Sequence, residues 1–85
     1  MDLNENIAAL QSAQQTESLV TSSLLPQAEL TLQAALVGYE TGKLDFATVL
    51  DAQRQIRQAK QSRIKAQAEG QARLAQIERL LGEDL

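Results

Sequence analysis

The sequence predicts an all-α protein: a long antiparallel αα-hairpin of coiled-coil-like helices. Three observations predict it. Alanine, leucine and glutamine supply 13, 14 and 12 of the 85 residues, and all three favour helix. There are one Phe, one Tyr and no Trp, and only three Val and four Ile. Strands therefore lack the β-branched and aromatic residues they use. Apolar residues also recur at steps of three and four on both sides of one glycine-centred break. A chain of this length makes one small domain.

The first helix is expected over residues 3–41. It starts near Leu3 or Asn4, with Asn4 a candidate cap and Ile7 and Leu10 following at helical spacing. Apolar residues continue through Leu19, Val20, Leu24 and Leu25 before Pro26 interrupts. Proline in a helix removes one hydrogen bond and clashes with the preceding turn. Pro26 either kinks a continuous helix, the preferred reading, or opens a new one after Ser22 or Ser23 unwinds the turn before it. Beyond it, Leu25, Ala28, Leu32, Ala35 and Tyr39 step by three and four as a heptad seam. Leu30, Ala34 and Val37 lie on another face.

Residues 42–45 read as the tip turn. Gly42 suits the left-handed position that ends a helix, and Asp45 suits the N-cap of the next. Thr48, three residues on, is a weak partner, so the cap lacks a full capping box. The second helix is expected over 45–81, on the order of 55 Å at 1.5 Å per residue, with Gly82 ending it. Its periodic apolar set is Phe46, Val49, Leu50, Ile56, Ala59, Ile64, Leu74, Ile77, Leu80 and Leu81. Ala52, Ala59, Ala66, Ala68, Ala72 and Ala75 are read as lying off the main seam. They either let neighbouring helices approach on two sides or simply raise helix propensity. Gln53, Lys60, Gln67 and Gln71 are read as seam positions, where an isolated coil would prefer Leu or Ile. A hairpin with such a seam relies on assembly, for instance by pairing into a four-helix bundle.

The formal net charge of −3 is unevenly spread. Residues 1–51 carry seven acids and one base; residues 52–85 carry seven bases and four acids. The halves either lie side by side or are two unrelated solvated faces. The basic series Arg54, Arg57, Lys60 and Arg63 climbs the second helix every three residues. It is either a solvated face or a stripe that meets acids of the first helix, a channel lumen or phosphate. No aromatic interleaves it, and the pI is about 4.8, so nucleic acid is not the expected partner.

Several chemistries are excluded. There is no Cys and no His, which removes disulfides, thiol catalysis, histidine acid–base work and zinc fingers. Asp45 and Asp51 are the nearest thing to paired catalytic carboxylates, but no nucleophile or metal-ligand set accompanies them. No enzyme activity, cofactor or metal site is expected. Apolar runs never exceed four residues, far short of a membrane span. Residues 1–6 carry no basic and apolar leader, so a working place outside the cytoplasm implies a piece of a longer protein. Tyr39, one turn before the helix end, is either a packing residue or a hydrogen-bonding partner across an interface.

Three stretches carry a resemblance. Leu24-Leu25-Pro26-Gln27-Ala28-Glu29, Gly38-Tyr39-Glu40-Thr41-Gly42, and Asp45-Phe46-Ala47-Thr48-Val49-Leu50-Asp51-Ala52-Gln53-Arg54 resemble the C-terminal periplasmic hairpin of TolC-like outer-membrane efflux channels. The closing Ile77-Glu78-Arg79-Leu80-Leu81-Gly82, with Asp84 and Leu85, is similar to the heavy-metal CusC/CzcC-type branch. The likeness covers about residues 20–85, and the Tyr-x-x-Gly…Asp-x-x-x-Val-Leu-Asp-Ala-Gln combination is its most specific part. It implies a homotrimer in the full-length parent. Each protomer of such a channel adds outer-membrane barrel strands and long helices to a tapering periplasmic tunnel. The tip turn meets a periplasmic adaptor (membrane fusion) protein of a tripartite pump whose third part lies in the inner membrane.

Carried over, Tyr39 matches the tip tyrosine, Gly42 the turn glycine, Leu50 and Asp51 the leucine and aspartate beyond the turn. Leu44 stands where relatives can place an arginine, and Lys43 is adjacent, so a basic gating contact is lost or shifted by one residue. Phe46 is expected to pack the tip. The tip and adaptor-contact set is thus Tyr39, Gly42, Lys43, Leu44, Asp45, Phe46, Leu50 and Asp51. The implied role is a passive conduit, with metal ions as cargo. A free-standing helical coiled-coil interaction module is the alternative, and a nucleic-acid binder built on the basic stripe a third. An adaptor-protein hairpin is disfavoured because its flanking lipoyl-like β segments are missing.

Overall fold

A computed structural model describes residues 2–83. Asp84 and Leu85, which close the tail motif of the resemblance, lie outside the described residues. The chain is all-α, a hairpin with extents of 66 × 17 × 13 Å and no strand among the described residues. Its first arm comprises α1 (Leu3–Leu19), a π-helical turn (Val20–Leu24) and α2 (Leu25–Glu40). Its second arm is α3 (Phe46–Glu83), 38 residues without interruption.

The first arm starts at Leu3, within the expected range, but its cap is Asp2 and not Asn4. Asp2 has extended backbone, and its carboxylate accepts the Glu5 N–H at 2.8 Å. Asn4, the expected cap, lies inside the first turn. Asn6 instead turns into the seam, where it is 1% exposed. Burial of its amide is met on both atoms. Nδ2 donates to the Asp2 carbonyl at 3.0 Å, and Oδ1 accepts from Arg73 at 3.4 Å.

The seam on α3 is Val49, Ala52, Ile56, Ala59, Arg63, Ala66, Gly70, Arg73, Ile77 and Leu80, all buried or half-buried. The steps alternate three and four without exception, the geometry of a coiled-coil stripe. This corrects the sequence expectation. Gln53, Lys60, Gln67 and Gln71 are exposed and sit one residue past the true seam, while Ala52, Ala59 and Ala66 lie on it. Ala68, Ala72 and Ala75 are exposed. On the first arm, Ala13, Ala28 and Ala35 are buried opposite. Small side chains at these seam sites on both arms let the two backbones approach closely. The best-packed cluster is Ala35, Val49 and Ala52 with Leu32 against it, next to the tip.

The first arm stays in register by an unusual device. Buried Asn6, Ala13 and Val20 are seven apart, and so are Ala28 and Ala35, but Val20 to Ala28 is eight. One extra α-helical residue rotates everything beyond it by about 100° and would swing Ala28 and Ala35 off the seam. The π turn, with i→i+5 bonding such as Leu25 N–H to the Val20 carbonyl, takes up that residue. Pro26 follows directly, near the start of α2, so the arm neither breaks nor restarts there. Backbone angles stay right-handed helical at Leu19, Val20, Leu24 and Leu25.

Gly82, the expected stop, remains helical, and α3 runs on to Glu83. Gly70 lies mid-α3, and a Cβ there would meet Leu10 and Ala13 at 3.7 and 3.8 Å, ordinary contact distances. Nothing in the packing therefore requires glycine. Gly70→Ala is expected to stabilise by about 0.5–1 kcal/mol, raising Tm by several degrees in a thermal melt followed by circular dichroism.

Candidate functional site at the hairpin tip

The tip is built by a helix stop and a helix start with five residues between them, 41–45. Gly42 has φ +77°, the left-handed conformation that favours glycine. Around it, the Lys43 N–H donates to the Gly38 carbonyl at 2.8 Å and the Gly42 N–H to the Tyr39 carbonyl at 3.0 Å. This pair is the Schellman arrangement, which satisfies carbonyls at the end of α2. The apolar contact that accompanies such a stop comes from Leu44, which folds back over Gly38. A Cβ on Gly38 would lie 2.5 Å from Leu44 Cδ1 and 2.7 Å from its Cγ. Two glycines thus do different work: Gly42 supplies a backbone angle and Gly38 supplies space.

Asp45 caps α3. Its carboxylate accepts the Thr48 N–H at 3.1 Å and the Thr48 hydroxyl at 2.9 Å. The Thr48 side chain therefore returns to the cap's carboxylate, not to its backbone. Asp51 pairs with Arg54 on the exposed side of α3. The Arg54 guanidinium, by hydrogen bond and charge, holds the Asp51 carboxyl below its ordinary value. The two aspartates are therefore spoken for separately, one as a cap and one in a surface pair. Lys43 makes no ion pair among the described residues.

Tyr39 and Phe46 meet edge to face across the turn, with ring centroids 5.4 Å apart and planes at 75°, a favoured aromatic geometry. Neither ring is enclosed: Tyr39 is 43% exposed and Phe46 55%. Leu36, Val37, Leu44 and Leu50 are exposed around them. The turn end of the rod therefore exposes apolar and aromatic side chains, and Asp51 and Arg54 share a shallow groove with Leu50 and Asp45. Leu36 is not legible as a tip residue in the sequence, because it belongs to no periodic series read there.

Among the described residues, the ion pairs are Arg54–Asp51, Arg73–Glu69 and Arg79–Glu83, all within α3. Across the seam, polar links run from Gln67 to Glu17 at 3.0 Å and from Arg73 to Asn6. Of the basic series, Arg63 is half-buried on the seam, while Arg57 and Lys60 are exposed beside it. No group of three or more His, Cys, Asp or Glu side chains among the described residues could hold a metal ion. No described helix is long and apolar enough to cross a membrane.

No family model matches the chain, and comparisons with curated proteins and with solved structures return no match.

Proposed function

We propose that this hairpin forms the periplasmic tunnel wall and tip of a TolC-like outer-membrane efflux channel, within a tripartite pump exporting metal ions. The observation that carries the proposal is the tip. Tyr39, Gly42, Asp45 and Phe46, which belong to the stretches that carry the resemblance, lie at or beside the turn of a 66 Å rod, with Tyr39 and Phe46 in contact. They leave an apolar aromatic surface open there, which is what a docking partner needs. A second feature supports the tunnel-wall role. Leu30, Val37 and Ile64 are at least 60% exposed, so the helices carry apolar side chains away from the seam that joins them. Neighbouring helices of a ring would cover them.

In this reading the parent is a homotrimer, and the hairpin lies in the periplasm below barrel strands that other parts of the parent supply. Ions pass by diffusion through the tunnel. The tip narrows the aperture and docks a periplasmic adaptor, which couples it to an inner-membrane pump. Residues of the chain then divide the labour: Gly38, Gly42 and Asp45 shape the turn, while Tyr39, Leu44, Phe46 and Leu50 offer contact. Lys43 and the Asp51–Arg54 pair supply nearby charges.

The test places a photo-crosslinking residue at Phe46 of the parent protein in a Gram-negative host. A covalent adduct with a periplasmic adaptor is expected. Leu50→Asp, at a position 49% exposed, should leave the amount of protein unchanged and lower the copper, silver or cobalt concentration that stops growth. No adduct, together with unchanged metal tolerance, would overturn the proposal and favour a free-standing interaction module.

A further inference from the structure

We infer that the π turn Val20–Leu24 is a flexing joint, letting the tip half of the hairpin swing against the base half while α3 bends as one continuous strip. The inference rests on the rod itself and not on the channel reading. Three backbone observations meet at this place. The turn is π-helical between two α-helices, and single π turns inside helices mark sites where the backbone ladder is loosened. Pro26 follows at once and has no N–H to donate, so the carbonyl it would serve in an α-helical register, Ser22, loses that partner. Ser22 itself bonds locally, its hydroxyl donating to the Ser18 carbonyl at 2.6 Å, a contact that bends helices.

The packing around the turn is also light. Val20 is fully buried and pins the joint to the seam. Leu19 and Leu24 on either side are 54% and 44% exposed. On α3, Ala59 and Ser62 line one groove with Leu24, and the seam runs on through Arg63 and Ala66, small or polar, in contrast to the Val49 cluster near the tip. A joint needs one anchored residue, a loosened ladder and little side-chain interlock around it; all three coincide here. α3 has no proline and no π turn, so it resists by smooth curvature alone.

The chain has no cysteine, so paired nitroxide labels can be placed freely. One pair, Gln14→Cys with Gln33→Cys, spans the joint; a control pair, Gln53→Cys with Ala72→Cys, spans the same number of residues on α3. All four sites are exposed. Pulsed electron–electron resonance should give a distance distribution about twofold wider across the joint than on α3. Deleting Ser22 and replacing Pro26→Ala returns the seam step to seven and permits α-helix throughout; the width should then fall to that of the control. Hydrogen exchange of the unlabelled chain should show amides near residues 21–27 exchanging at least about tenfold faster than those of 10–18 and 30–38. Equal widths in the parent chain would overturn the inference, even with fast exchange. A width that survives the deletion in a folded variant would overturn it too.

Discussion

Val49→Asp is expected to unfold the tip half of the hairpin, whereas Leu50→Asp, one residue along, should change stability by less than about 0.5 kcal/mol. Val49 is 1% exposed, enclosed by Ala35, Ala52 and Leu32. A carboxylate there has no cation or donor within the cluster to meet it. An uncompensated buried charge costs about 3–5 kcal/mol, comparable with the whole stability of many small domains. Leu50 is 49% exposed, and a new carboxylate there stays in water, four residues before Arg54 on the same helix. At the Val49 position, burial raises the folded-state pKa of the introduced carboxyl above its unfolded value. The loss should therefore be largest at neutral pH, shrink as pH falls through the raised folded-state value, and be smallest below about pH 4, where the carboxyl is protonated in both states. Urea unfolding followed by circular dichroism at pH 7 and pH 3.5 reads both effects. Equal losses at the two positions would mean that the seam has been placed on the wrong face.

That one-residue distinction is where local sequence patterns stop being informative. The helix type, the tip glycine and the Asp45 cap follow from local chemistry: propensity, a left-handed position and a carboxylate three residues before an N–H. The seam register does not, because Leu50, Ile64, Leu74 and Leu81 form a second apolar stripe one residue beyond Val49, Arg63, Arg73 and Leu80. Leucine is the stronger apolar signal, so a pattern weighted by size drifts onto the exposed stripe. Close helix approach selects the smaller residues instead, and that preference arises only when the partner helix is in place. The buried Asn6 is hidden for the same reason. Its partner across the seam, Arg73, lies 67 residues away, beyond any local pattern. The π turn, in contrast, leaves a trace in the sequence: an eight-residue step between Val20 and Ala28 in an otherwise seven-residue series. The trace is readable only once the buried residue in each turn is known.

Gly38→Ala is expected to destabilise the hairpin by about 1–2 kcal/mol, and the same change should become neutral or stabilising once Leu44 is also alanine. The reason is steric. The new Cβ would lie 2.5 Å from Leu44 Cδ1 and 2.7 Å from Cγ, so the leucine must leave its seat on the end of α2. Leu44→Ala removes both atoms and leaves only the Cβ contact at 3.4 Å. What remains is the ordinary preference of a helix for alanine over glycine, about 0.5–1 kcal/mol in the stabilising direction. Gly42→Ala behaves differently. No atom lies within 4 Å of the Cβ it would carry, but φ is +77°, which costs an L-residue about 1–2 kcal/mol wherever it occurs. That loss should be the same with Leu44 present or absent, and smaller for Gly42→Asn, which tolerates the left-handed region. A thermodynamic cycle over the four combinations of Gly38→Ala and Leu44→Ala, with Gly42→Ala measured in both Leu44 backgrounds, separates space from backbone angle at the tip. If Gly38→Ala costs the same in both backgrounds, Leu44 does not rest on Gly38. The apolar tip surface would then include a loose leucine, and Leu44→Asp would test docking without disturbing the turn. If the sign reverses, Leu44 is part of the turn's own packing, and Phe46 and Leu50 become the cleaner positions at which to probe a partner.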